Sequence, residues 1–80
     1  MISVDVQYYA LLREQAGTSR ERVATSAATA QALYEELRAR HQLTPEVSQL
    51  RVAIDGEFAG WHDALSDGAE VVFIPPVAGG

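Results

Sequence analysis

Glu70-Val71-Val72-Phe73-Ile74-Pro75-Pro76-Val77-Ala78-Gly79-Gly80 closes the sequence and holds its strongest strand signal. Four consecutive apolar residues, Val71 to Ile74, read as a strand buried on both faces or facing a partner. Proline fixes φ and has no N–H, so the ladder is expected to stop at Pro75. The diproline favours an extended path away from the body. The four residues after it reach roughly 13 Å. Glycine lacks a Cβ, so Gly79 and Gly80 make a thread thin enough for a narrow tunnel. At the tip stands an α-carboxylate, ionised at neutral pH because its pKa is about 3.5. Such a group is a poor electrophile until it is converted to an acyl-adenylate.

Upstream, Ile2, Val4, Val6 and Tyr8 alternate with Ser3, Asp5 and Gln7, the pattern of a half-buried strand. Tyr9 to Ala16 reads as a short helical turn with Gly17 as its C-cap. Arg20 to Thr25 is a polar strand expected near an edge. Ala30, Leu33, Tyr34, Leu37 and His41 form one stripe at helical spacing. Thr29 is the expected N-cap, with Ser26 as competitor. Leu50 to Ile54 is a strand running into Asp55-Gly56, a two-residue hairpin signal. Glu57 to Trp61 is expected to return, Ser66-Asp67-Gly68 to turn, and Glu70 to Ile74 to finish the sheet.

Strands bracketing one substantial helix give an α+β domain. One helix covers one face of the sheet, so half of the Val71 to Ile74 side chains should lie on an open face, a candidate partner surface. At 80 residues and 48% hydrophobic, the chain suffices for one domain with a modest core. A body over residues 1–75 and a carrier tail over 76–80 are expected.

Composition narrows the chemistry. There is no cysteine, hence no disulfide and no thiolate ligand or nucleophile. A net charge of −5 repels phosphate backbones, so nucleic acid is not an expected partner. No apolar run approaches the roughly 20 residues of a membrane span. The N-terminus lacks a basic-then-apolar leader, and cytoplasm is the expected compartment. His41 and His62 have no carboxylate at metal-site spacing, so no metal is expected. No nucleophile elbow or glycine-rich phosphate loop occurs. Trp61 reads as a core or edge anchor.

Three segments carry a resemblance: Tyr9-Ala10-x-x-Arg13-Glu14-x-x-Gly17, Leu65-Ser66-Asp67-Gly68-Ala69-Glu70-Val71, and Phe73-Ile74-Pro75-Pro76-Val77-Ala78-Gly79-Gly80. Together they resemble the ubiquitin-like sulfur carriers of β-grasp fold, and most closely the small subunits of molybdopterin synthase. Ala69 stands where an acid is commoner and Ile74 where an aromatic is frequent. The resemblance implies a mixed sheet of four to five strands on one main helix, with an extended Gly-Gly tail. It implies a chain that is not catalytic alone. A ubiquitin-activating-type enzyme would use ATP to adenylate Gly80, and a persulfide donor would replace AMP to leave a thiocarboxylate. The tail would enter the large synthase subunit, in a heterotetramer, and donate sulfur to a cyclic pyranopterin monophosphate. Gly80 is then the acyl carrier and Gly79 its sterically required neighbour. Tyr9, Phe58 and Ile74 match the family's apolar partner contact. Arg13, Phe73, Pro75, Pro76 and Val77 join them as expected partner-binding residues.

Other assignments share parts of this pattern. A carrier for thiamine or tRNA thiolation would have the same fold and tip, and the Pro-Pro-Val and Arg13-Glu14 segments favour molybdopterin over it. A ubiquitin-like modifier would join Gly80 to lysine by an isopeptide bond. A non-reactive binding module would use the sheet face alone and keep its function without Gly79 and Gly80.

Overall fold

The computed structural model describes residues 1–75. The expected path of Pro76, Val77, Gly79 and Gly80 lies outside the described residues. In chain order the elements are β1 (Ile2–Tyr8), α1 (Ala10–Ala16), β2 (Arg20–Thr25), α2 (Ala30–His41), a 3-10 turn (Val47–Gln49), β3 (Arg51–Ile54), β4 (Glu57–Ala59) and β5 (Glu70–Ile74). The five strands form one mixed sheet in the order β2-β1-β5-β3-β4. β5 lies at its centre, parallel to β1 and antiparallel to β3. β2 is an edge strand, as its polar sequence suggested.

Alternation assigns the faces. Val4, Val6 and Tyr8 of β1 and Val71 and Phe73 of β5 are buried, each at most 1% exposed. Ala30, Leu33, Tyr34 and Leu37 of α2 are fully buried. Burying each large apolar side chain contributes about 1.5–3 kcal/mol before conformational entropy is counted. The Thr29 hydroxyl accepts from the Ala32 N–H at 3.2 Å, so the expected N-cap is the one used. Gln42, with φ 57°, ends the helix in the left-handed region, and Leu43 N–H closes back on the Arg38 carbonyl.

Aromatic packing ties helix and loops to β5. Tyr34 meets the Phe73 ring edge-on at 5.1 Å, and Trp61 stacks on Phe73 at 6.0 Å. The buried Tyr34 hydroxyl donates to the Pro45 carbonyl at 2.7 Å, so its polar end is satisfied. Trp61 is thus an anchor of the core, as its place in the sequence suggested.

The β3–β4 hairpin turns through Asp55 (φ 52°) and Gly56 (φ 86°), the double left-handed geometry for which Asp-Gly is suited. β4 ends at Ala59, two residues short of the expected Trp61. The reason is local: Gly60 N–H donates to the Asp63 carboxylate at 2.9 Å, which turns the chain and sends Trp61 into the core. Among the described residues no helix is long and apolar enough to cross a membrane.

Candidate functional site

Among the described residues the sheet face opposite α2 has no helix of its own, and the strand registers map it. Gln7, Val72, Ala53 and Phe58 form a row across β1, β5, β3 and β4. The next residues on that face are Ile74 of β5 and Arg51 of β3, directly opposite each other. Phe58 is 69% exposed, while Val72, Ile74 and Ala53 are half-buried. This half of the face is therefore apolar. It lies beside Pro75, where the chain leaves the sheet.

The other half is polar. Arg22 pairs with Asp5 at 3.1 Å, an exposed bridge worth about 1 kcal/mol or less. Asp5, Gln7, Arg20, Arg22 and Glu70 help line an open cleft of about 280 Å³. That is smaller than the roughly 300–1,000 Å³ of ordinary ligand pockets and is not an apolar one, so it does not read as a small-molecule site.

The expected contact residues divide. Tyr9 is 47% exposed and follows Tyr8 as Ile74 follows Phe73 in the parallel β1–β5 register. Tyr9 and Ile74 thus share the end of the sheet from which the tail departs. Phe58 lies on β4, three strands from β1, so the surface from Tyr9 to Phe58 spans about 14 Å. Arg13 is exposed on α1, off the sheet. Pro75 is half-buried at the last described position.

Phe73 is a correction. It was expected to meet a partner, yet it is fully buried, opposite Val52 and beside Tyr8 on the helix side. Alternation in β5 explains this: Phe73 and Val71 enter the core, leaving Val72 and Ile74 for the open face. Sequence reasoning also missed Leu11, 45% exposed on α1, and Arg51. A two-residue hairpin through Asp55-Gly56 pairs Ala53 with Phe58, and that parity was the signal placing Arg51 on the same face.

The cluster with perturbed titration lies on the helix side, away from this surface. The Tyr8 hydroxyl donates to Glu21 Oε2 at 2.5 Å, and His41 Nε2 lies 2.7 Å from the same oxygen. Burial pushes the Tyr8 phenol well above its ordinary value, and the Glu21 hydrogen bond and charge add to the effect. Burial pushes Glu21 upward, but hydrogen bonds from Tyr8 and His41 and the charges of His41 and Arg40 outweigh it and hold Glu21 below its ordinary value. A carboxylate with a depressed folded-state pKa stabilises the fold above the unfolded value of 4.5, and that stability is lost as pH falls through the lower folded value. Glu21→Gln should therefore cost about 1–2 kcal/mol at pH 7 and progressively less below pH 4.5, read from urea midpoints. A penalty that grows on acidification would contradict the assignment.

A central strand running out beside an open apolar face, over one covering helix, defines the ubiquitin-like β-grasp carriers. The ThiS family matches residues 6–80, and the chain belongs to that family of sulfur carriers. The molybdopterin synthase sulfur carrier subunit of Escherichia coli (strain K12) is 35% identical, over 96% of this chain and 99% of that one. SAMP1 from Haloferax volcanii superposes with a TM-score of 0.81 at 27% identity, covering 98% of this chain and 99% of that one. A putative molybdopterin converting factor, subunit 1, from Pyrococcus furiosus gives 0.80 at 29% identity, covering 96% of this chain and all of that one.

Proposed function

We propose that this chain carries sulfur on Gly80 for molybdopterin synthesis. One observation carries the reading: in a ThiS-family chain, the apolar half of the open face adjoins the exit of β5 into Pro75-Pro76-Val77-Ala78-Gly79-Gly80. A partner that docks over Phe58 and Ile74 is then positioned to receive the tail. The full-length likeness to the E. coli carrier subunit supports molybdopterin as the destination and a large synthase subunit as the docking partner.

The chemistry follows from the inertness of a carboxylate. The Gly80 carboxylate attacks the α-phosphorus of ATP on a ubiquitin-activating-type enzyme, pyrophosphate leaves, and an acyl–AMP anhydride forms. A persulfide sulfur adds to that carbonyl and AMP leaves, giving an acyl disulfide on the donor. A donor thiol cleaves the S–S bond, so the donor ends as a disulfide and the chain departs as a thiocarboxylate. In the large subunit the thiocarboxylate sulfur would bond to a carbon of a cyclic pyranopterin monophosphate as a C–O bond of that carbon breaks. Water would then cleave the acyl C–S bond of the resulting thioester, leaving sulfur on the pterin and Gly80 as the carboxylate. Two such transfers would make the dithiolene. Without cysteine, no side-chain thiol can carry the sulfur, which fits a main-chain carrier. The cytoplasm is the compartment this cycle calls for.

The test is reconstitution. Thiocarboxylated chain, large subunit and pterin precursor together should yield the dithiolene, and no product would refute this destination. Phe58→Ala should weaken association with the large subunit by roughly 30-fold, as truncation of a central aromatic contact costs about 2 kcal/mol. Unchanged affinity by calorimetry would reject the face.

The likeness to Haloferax SAMP1, a small archaeal modifier protein, favours a second reading, a protein modifier. Gly80 would then form isopeptide bonds, and adducts in extracts that survive reducing agents would support it.

A further inference from the structure

Arg51 is a lone cation set into the apolar half of the open face. It is exposed, opposite Ile74 in the β3–β5 register, and its guanidinium carbon lies 5.5 Å from the centre of the Phe58 ring. Among the described residues no carboxylate pairs with it, as none does with Arg13, Arg20 or Arg38; what sets Arg51 apart is its place among the apolar residues of this face. Its neighbours on this face, Ile74, Val72, Ala53 and Phe58, offer it no side-chain anion.

A guanidinium covered by a docking protein must find an anion, because an unpaired buried charge is costly. The aromatic ring beside it restrains a long side chain, so less freedom is lost on docking. A chain of net charge −5 is steered at long range toward positive surfaces. An acidic group opposite Arg51 therefore acts at short range, fixing register and rejecting surfaces that lack it.

We propose that Arg51 is the specificity contact of this face, and that the large subunit docking over Phe58 and Ile74 presents a carboxylate to its guanidinium. This rests on the docking reading above. A partner placing a neutral or basic group there would leave Arg51 buried and unpaired.

The experiment titrates the full-length chain into recombinant molybdopterin synthase large subunit of the same source, at low and high salt. Arg51→Gln should weaken binding by about 30-fold or more and flatten the salt dependence. Arg51→Glu should weaken it further, and Arg51→Lys should lie between wild type and Arg51→Gln. One Asp→Arg or Glu→Arg change on the large subunit should restore binding to Arg51→Glu. Unchanged affinity of Arg51→Gln, with Phe58→Ala impaired, would overturn the proposal and leave the docking face standing. Silence of both variants, with wild type bound, would remove the face as well. Failure of wild type to bind would remove the large subunit as partner. Lowered melting temperatures with no rescuing reversal would make Arg51 a structural prop and overturn the proposal.

Discussion

Removing Gly79 and Gly80 should abolish sulfur transfer and leave the melting temperature within about 2 °C of wild type. Among the described residues the last ladder partner is Ile74, and Phe73, one residue earlier, is the last large side chain to enter the core. The five-stranded sheet is assembled from residues up to Ile74. The truncated chain ends on the Ala78 carboxylate, two residues short and beside a Cβ, so on the carrier reading it should be neither long enough nor thin enough to be activated. The same deletion would spare a binding module that used only the sheet face. Thermal unfolding by circular dichroism and a transfer assay on the same sample separate the two. A drop of many degrees would mean that the tail is packed structure. Retained transfer would mean that sulfur travels by another group.

Phe73→Ala should cost about 3–5 kcal/mol, the usual range for truncating a buried aromatic. For a domain of this size that is a fall of roughly 15–30 °C in melting temperature. Phe73 is fully buried against Tyr34 and Trp61, so its removal leaves a cavity bordered by two rings that cannot both collapse into it. Phe58→Ala, at 69% exposure, should cost about 1 kcal/mol or less, including its contact with Arg51. The contrast separates core from docking surface. Equal losses for the two variants would mean that the faces of β4 or β5 have been assigned wrongly.

Most of the architecture was legible because its signals are local. The alternation of Ile2 to Tyr8, the Thr29 cap and the Asp55-Gly56 hairpin each need only a few neighbouring residues. The faces of β5 were harder. Four apolar residues in a row show no alternation, so the sequence of that strand alone cannot say that Phe73 points inward and Ile74 outward. Counting parity back from the hairpin would have settled which side Arg51 and Phe58 share. The Tyr8–Glu21–His41 cluster was not legible at all. Glu21 is 13 residues from Tyr8 and 20 from His41, and only the β1–β2 pairing with α2 across it brings the three together. The end of β4 was missed for a similar reason, since Asp63 captures Gly60 from a loop with no periodic pattern.

The most direct test of the carrier reading is intact-mass spectrometry of the full chain after incubation with a ubiquitin-activating-type enzyme, ATP and a persulfide donor. The chain should gain the mass difference between sulfur and oxygen, with fragmentation placing it on Gly80. Gly80→Val should gain nothing, because its side chain fills the passage that admits bare backbone. Sulfur found on any other residue, or Gly80→Val activated as fast as wild type, would contradict the carrier mechanism.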